Sequence, residues 1–251
     1  MKDVFFPEKA YKNLDFLTSD DARILRILSE YLEPLSRLRR LKVNSTVLFF
    51  GSSRARPNDN NSLLTRYYWE AEELAYLLAK WAIKLKPKGK DFVICTGGGP
   101  GLMEAANRGA ERAGGLSIGM NISIPHEQYP NPYISNELSF IFHYFFMRKF
   151  WLVYKAKAVV VFPGGFGTMD ELFELLTLVQ TDKIPRRHMN IVLYGENYWR
   201  EVINFESLLK YGTISPEDME IFSIISGPME AFSFLKNKLS PLIENKISPG
   251  K

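Results

Sequence analysis

A single cysteine, Cys95, among 251 residues rules out an internal disulfide, and its place in the apolar run Phe92-Val93-Ile94-Cys95 reads as core. Such sparse use fits a reducing, cytoplasmic compartment. Long apolar runs are missing as well. Nowhere do the roughly 18 apolar residues of a membrane helix follow one another, and the N-terminal MKDVFFPEKAYKNLD lacks a signal-peptide pattern. No membrane partner is expected. Only three histidines occur, His126, His143 and His188, and they share no metal-ligand spacing, so no metal is expected. Neither charge dominates: Lys+Arg 32 against Asp+Glu 28 gives +4 and a pI of about 9.0. That excess is too mild to indicate nucleic acid. No G-x-x-x-x-G-K-[ST] loop is present, and Gly97-Gly98-Gly99 has Leu102 where a dinucleotide fingerprint needs its last glycine. Internal repeats and low-complexity tracts are absent too.

What is there is an alternation. With 46% hydrophobic and 24% charged residues the chain can bury a core and stay in water. Short β-branched or aromatic runs at 46–50, 92–95, 116–122, 137–142, 158–162, 190–194 and 221–225 read as strands. Between them, helical periodicity covers 61–85, 102–113, 144–157, 168 onward and 198–211, with a last helix at the C-terminus. The first long helix takes Leu63, Leu64, Tyr67, Leu74, Leu77, Leu78 and Trp81 as its core side. Before the strands, Thr18-Ser19-Asp20-Asp21 looks like the cap of another helix, which ends in the basic group Arg37, Arg39, Arg40 and Lys42. Alternation of this kind predicts an α/β, Rossmann-like, doubly wound parallel sheet. We expect a helical N-terminal extension over 1–44 and one nucleotide-binding and catalytic domain over 45–251.

The chemistry concentrates where strands end. Small or glycine-rich turns follow three of them, at 51–54, 96–101 and 163–168. In a parallel sheet all three fall on one edge, where ligands bind. The run AVVVFPGGFGTMDELFELL, residues 158–176, carries the strongest signal. A buried strand breaks at Pro163-Gly164-Gly165-Phe166-Gly167, and a helix then starts at Thr168. Glycines that allow close backbone approach, with unpaired N–H groups at a helix start, favour a phosphate.

Met147-Arg148-Lys149 followed by Pro163-Gly164-Gly165-Phe166-Gly167-Thr168-Met169-Asp170-Glu171 resembles the signature of the LOG (Lonely Guy) family. In that family an arginine precedes P-G-G-x-G-T-x-x-E. Gly51-Ser52-Ser53 and Thr96-Gly97-Gly98-Gly99-Pro100-Gly101-Leu102-Met103-Glu104 are similar to the family's other two turns, and 121–133 resembles its longer-chain subgroup. The likeness spans about residues 45–230. It implies a cytokinin riboside 5′-monophosphate phosphoribohydrolase, which takes part in cytokinin activation by releasing a free base and ribose 5-phosphate. It also implies a homodimer or an assembly of dimers. Many relatives carry the older label "lysine decarboxylase".

On this resemblance Arg148 and Glu171 are the catalytic pair. Gly164, Gly165, Gly167 and Thr168 cradle the phosphate, while Gly51, Ser52, Ser53, Gly98 and Gly99 complete the pocket. Glu104 and Lys149 are further substrate-binding candidates. Each has a plainer reading beside it. Thr168-x-x-Glu171 is also a capping box, Arg148 suits a structural ion pair, Lys149 a surface charge and Glu104 an ordinary first-turn glutamate. A carboxylate in the first helical turn is kept ionised by the dipole. In that state it can orient water or a ribose hydroxyl and stabilise an oxocarbenium-like state. Asn121, His126 and Gln128 are the expected base-selecting walls. A non-catalytic nucleotide sensor or carrier on the same fold is the alternative. No lysine has the setting of a pyridoxal-phosphate Schiff base, and no cofactor is expected.

Overall fold

Strand β1 (Thr46–Phe50) is buried along its whole length, and its pleat sends alternate side chains to two different cores. Val47 and Phe49 join one cluster, Leu48 and Phe50 the other. A strand covered on both faces favours a continuous apolar run, which is why Val47-Leu48-Phe49-Phe50 shows no polar alternation. The computed structural model describes residues 6–88, 92–125 and 129–244.

Around β1 lies a sheet of seven strands in the order β4-β3-β2-β1-β5-β6-β7, every neighbouring pair parallel. The other strands are β2 (Val93–Thr96), β3 (Ser117–Ile122), β4 (Ser139–Phe142), β5 (Ala156–Val161), β6 (Asn190–Tyr194) and β7 (Phe222–Ile225). From β1 the chain steps outward through β2 and β3 to β4. It then returns to the other side of β1 as β5 and steps outward again. The order reverses between β1 and β5, so the connections leaving these two strands diverge and open a crevice at their carboxyl ends. A backbone bond ties its walls: the Ser52 N–H donates to the Pro163 carbonyl at 3.0 Å.

Helices α3 (Leu64–Leu85), α4 (Leu102–Arg112) and α9 (Pro228–Glu244) supply the core on the Val47 side. On the Leu48 side lie α5 (Phe145–Tyr154), α6 (Phe166–Gln180) and α7 (Glu196–Val202), with the fully buried Trp151 and Trp199 among their contributions. The N-terminal region adds α1 (Leu14–Thr18) and α2 (Arg23–Arg40). Polar bonds fasten α2 to the start of α5: the Glu30 carboxylate accepts from the His143 N–H at 2.7 Å, and its carbonyl accepts from Trp151 Nε1 at 2.9 Å. Arg37 donates to the Ser139 carbonyl at 3.0 Å and lies over the Phe140 ring. It belongs to the structure of the extension.

Four local expectations change. Helix α2 starts at Arg23 behind Ala22 without a side-chain cap, because Thr18 and Ser19 instead bond back to the carbonyls of α1. Leu63 precedes α3 and is 89% exposed, outside the core. Helix α5 stops at Tyr154, since β5 begins at Ala156 to pair with Thr46. The helix expected over 198–211 is two helices. Asn204 caps α8 (Phe205–Lys210) by accepting from the Ser207 N–H at 2.9 Å, which restarts the backbone after α7.

Candidate active site

The crevice is a cleft of about 790 Å³, within the range of small-molecule sites. Its floor is the turn between β5 and α6. Helix α6 begins at Phe166, two residues earlier than the sequence suggested, with Gly165 as an extended N-cap. Its first backbone bond runs from the Met169 N–H to the Gly165 carbonyl. The N–H groups of Phe166, Gly167 and Thr168 precede that bond and face the cleft, as the first turn of any helix must leave them. Gly164 is a glycine for a measurable reason: a Cβ there would stand 2.1 Å from Thr168 Oγ1. The missing side chain lets the Thr168 hydroxyl fold back onto the turn. Tyr198 of α7 holds the turn from outside by donating its hydroxyl to the Gly164 carbonyl at 2.6 Å.

With α6 starting at Phe166, Glu171 belongs to the second helical turn. The capping box does not form, and the dipole effect, confined to the first turn, is not what sets the charge of Glu171. Its side chain is 7% exposed and Arg148 beside it 14%. Arg148 Nη1 lies 3.7 Å from Glu171 Oε1, and Lys149 Nζ lies 3.4 Å from Oε2. Burial pushes the Glu171 carboxyl above the usual carboxylate range, and the charges of Lys149 and Arg148 only partly offset it. The carboxyl is thus a stronger base than an exposed glutamate. Burial lowers the Arg148 pKa, with Glu171 the main opposing influence. Lys149 is held against three carboxylates, at 2.7 Å from both Asp170 and Glu174. Burial alone would lower its pKa, but hydrogen bonds to Asp170 and Glu174 and the charge of Glu171 outweigh it and keep the ammonium charged.

Arg148 reaches the cleft along an unusual path. Its Nε donates to the Met120 carbonyl of β3 at 2.8 Å, and its guanidinium passes over Gly97. A Cβ at Gly97 would lie 2.6 Å from Arg148 Nη2 and 2.9 Å from Met103 Sδ. Gly97 is therefore the member of the 97–99 turn that lines the cleft, in place of the expected Gly98 and Gly99. Gly98 and Gly99 do not line it. Their carbonyls accept from Asn131 Nδ2, each at 3.1 Å, while Asn131 also reaches Asn107 Oδ1 and Thr96 reaches the same oxygen. This buried network fixes the turn. Its members Asn107 and Asn131 carry no motif; Asn107 is one polar residue among several on an amphipathic helix, and Asn131 lies in a proline-rich loop.

The remaining candidates divide. Gly51, Ser52, Ser53, Gly164, Gly165, Gly167, Thr168, Arg148 and Glu171 all line the cleft, as does Asn121. Glu104 does not: its carboxylate accepts from the Tyr68 hydroxyl at 2.8 Å, turned toward α3. Lys149 stands behind Glu171, outside the lining. His126 and Gln128 lie outside the described residues. Arg54 and Tyr198 line the cleft without having been singled out.

A parallel α/β sheet with a glycine-rich helix start and a buried Arg–Glu pair at its switch point defines a Rossmann-like protein with a cleft at the carboxyl edge of its sheet. The family model described as "Possible lysine decarboxylase" matches residues 103–235, and the chain belongs to this family, the LOG family that its motifs resemble. It is 34% identical over 114 residues to a pyrimidine/purine nucleotide 5′-monophosphate nucleosidase of Escherichia coli (strain K12), covering 42% of this chain and 25% of that protein. It is 28% identical over 148 residues to the probable cytokinin riboside 5′-monophosphate phosphoribohydrolase LOGL5 of Oryza sativa subsp. japonica, covering 58% and 57%. The chain thus spans a quarter to somewhat over half the length of these relatives. The X-ray structure of TM1055, at 22% identity and a TM-score of 0.52, covers 77% of this chain and 99% of its own, and shares the fold.

Proposed function

We propose that the protein hydrolyses the N-glycosidic bond of a nucleoside 5′-monophosphate, releasing a free base and ribose 5-phosphate. One observation carries this reading: the open N-terminus of α6 and the buried carboxylate of Glu171 on the same helix, paired with Arg148 of α5, share one cleft. Glu171 is five residues past Phe166, and at about 1.5 Å rise per residue the two lie roughly 7 Å apart along the axis. That separation is on the scale of a ribose 5-phosphate. The phosphate rests on the N–H groups of Phe166, Gly167 and Thr168, and the anomeric carbon faces Glu171. As the C1′–N bond breaks, positive charge grows on the ribose ring and the carboxylate stabilises it. Water then forms the new C1′–O bond and gives one proton to Glu171; that same proton passes on to the departing base, so the carboxylate is restored. Arg148 fixes the carboxylate and offers the remaining N–H donors along the edge of its guanidinium to a substrate oxygen.

The relatives' names support the nucleoside monophosphate class, and Asn121 of β3 is the described wall position expected to choose among bases. The family description points elsewhere, toward a Schiff-base lysine. Lys149 argues against that chemistry here, because its carboxylate cage keeps the amine charged whereas Schiff-base formation needs it neutral. We further propose a homodimer. Phe166 is 96% exposed, and beside it α6 offers a groove of about 580 Å³ lined by Met169, Phe173 and Leu178. Apolar surface of this kind next to a cleft suits a second copy.

The test is incubation with a panel of nucleoside 5′-monophosphates and isopentenyl-AMP, followed by chromatography for base and ribose 5-phosphate. Base release that Arg148→Ala and Glu171→Gln both abolish is expected. Tight nucleotide binding with no base released from any member would replace the hydrolase with a sensor.

A further inference from the structure

We infer that Arg54 closes the phosphate subsite and makes the cleft select a phosphate ester over the dephosphorylated nucleoside. This deepens the hydrolase reading and rests on it for the identity of the ester.

Charge in the cleft motivates the assignment. The ionisable arginines and carboxylates that line it are Arg54, Arg148, Asp170 and Glu171, two positive and two negative. A dianionic phosphate entering such a site needs a cation that is not already engaged. Arg148 is engaged by the Met120 carbonyl and Glu171, and Lys149 by three carboxylates behind the wall. Among the described residues Arg54 has no ion pair and donates no side-chain hydrogen bond, although it lines the same cleft as Gly164, Gly165 and Thr168. Its neighbour Arg56 differs, since it spends its guanidinium on the Ser53 and Ala55 carbonyls.

The base of Arg54 is rigid even though its head is free. Its N–H donates to Ser52 Oγ at 3.1 Å. Ser52 in turn bonds to Pro163 through its N–H and accepts from the Leu102 N–H through its carbonyl, both at 3.0 Å. The turn after β1 is thereby pinned to the turn after β5, and Arg54 lines the same cleft as the α6 start. Backbone N–H groups at a helix terminus amount to about half a positive charge. A guanidinium adds a full charge and paired donors that match phosphate oxygens. Without Arg54 the one full positive charge left on the lining, that of Arg148, is already paired with Glu171.

The test measures binding, so it does not need turnover. Wild type, Arg54→Ala and Arg54→Lys are titrated with ribose 5-phosphate and with adenosine by calorimetry at two salt concentrations. For Arg54→Ala, ribose 5-phosphate affinity should fall about 10- to 100-fold with a shallower salt dependence, while adenosine affinity stays unchanged. Arg54→Lys should recover part of the loss. Kinetically, KM for the monophosphate should rise with kcat nearly constant. Equal weakening of both ligands, or undiminished ribose 5-phosphate binding in Arg54→Ala, overturns the assignment. Arg54-dependent binding of ribose 5-phosphate without base release from any nucleotide upholds it while refuting the hydrolase. Base release with a KM unaffected by Arg54→Ala does the reverse.

Discussion

Arg148 Nη1 stands 3.7 Å from Glu171 Oε1, and each group has a second partner besides the other. The arginine is anchored on the Met120 carbonyl and seated against Gly97, while the glutamate is flanked by Lys149 on its other oxygen. Three elements, α5, β3 and α6, therefore cooperate to hold one carboxylate at the mouth of the sheet. A buried ion pair contributes little to stability once desolvation is counted. Its retention in a cleft is better explained by chemistry than by folding.

Replacing Glu171 by Gln separates these two explanations. Turnover should fall by about 10²- to 10⁴-fold, and the wild-type rate should decline as pH falls through the raised native pKa and the carboxyl protonates. Because the native pKa lies above the ordinary 4.5, folding favours the protonated form. The stability that protonation brings is complete below the unfolded pKa and is lost as pH rises through the native one. Glu171→Gln mimics the neutral state. It should melt at or above the wild-type temperature at neutral pH, with the gap closing as pH falls toward 4.5. A variant that is clearly less stable at pH 7 would show that the carboxylate is there to hold the fold.

Gly97→Ala tests the path of the guanidinium. The new methyl would lie 2.6 Å from Arg148 Nη2 and 2.9 Å from Met103 Sδ, both far ends of flexible side chains. Those ends can shift, so the melting temperature should change little. The guanidinium, however, leaves its place beside Glu171, and misplacement on this scale costs catalysis about 10²-fold. Circular-dichroism melting and steady-state kinetics on one preparation check both halves. Full activity in this variant would mean that the seat of Arg148 is irrelevant.

These arguments also show what the sequence can and cannot carry. The strand–turn–helix at 158–176 was legible because apolar β-branched runs, glycines and helical periodicity are local signals. So was the pairing of Arg148 with Glu171, through a motif. The role of Gly97 was not, because it depends on a side chain fifty-one positions away crossing a particular backbone atom. The split at Asn204 looked like continuous helix, since one asparagine can sit within a helix or start one. Glu104 looked like a site residue because its helix begins at the ligand edge, yet its position on that helix turns it to Tyr68. The charge of Glu171 departs from the sequence expectation for a related reason. A shift of two residues in the start of α6 removes the dipole from the argument and leaves burial to decide.

Cys95 should be inert in the folded protein. It is fully buried in β2, and burial pushes its thiol up to about 12, with Arg148 lowering it only slightly. Alkylation requires the thiolate and access. Labelling with iodoacetamide should therefore proceed only as fast as the protein unfolds and should accelerate with denaturant. Rapid labelling of native protein at pH 8 would contradict the packing of the central sheet.

Tyr198→Phe removes one hydroxyl and nothing else from the cleft. That hydroxyl donates to the Gly164 carbonyl at 2.6 Å and is the contact through which α7 steadies the phosphate turn. Its loss should cost about 1 kcal/mol, felt where the turn meets its ligand. The expected result is a several-fold rise in KM for a nucleoside monophosphate and a matching loss of ribose 5-phosphate affinity. Because Tyr198 does not touch Glu171 or Arg148 by any ion pair, the pH profile of kcat should keep its shape. A fall in kcat with KM unchanged would instead assign the Tyr198 hydroxyl to the reacting end of the substrate. That outcome would move the phosphate away from the start of α6.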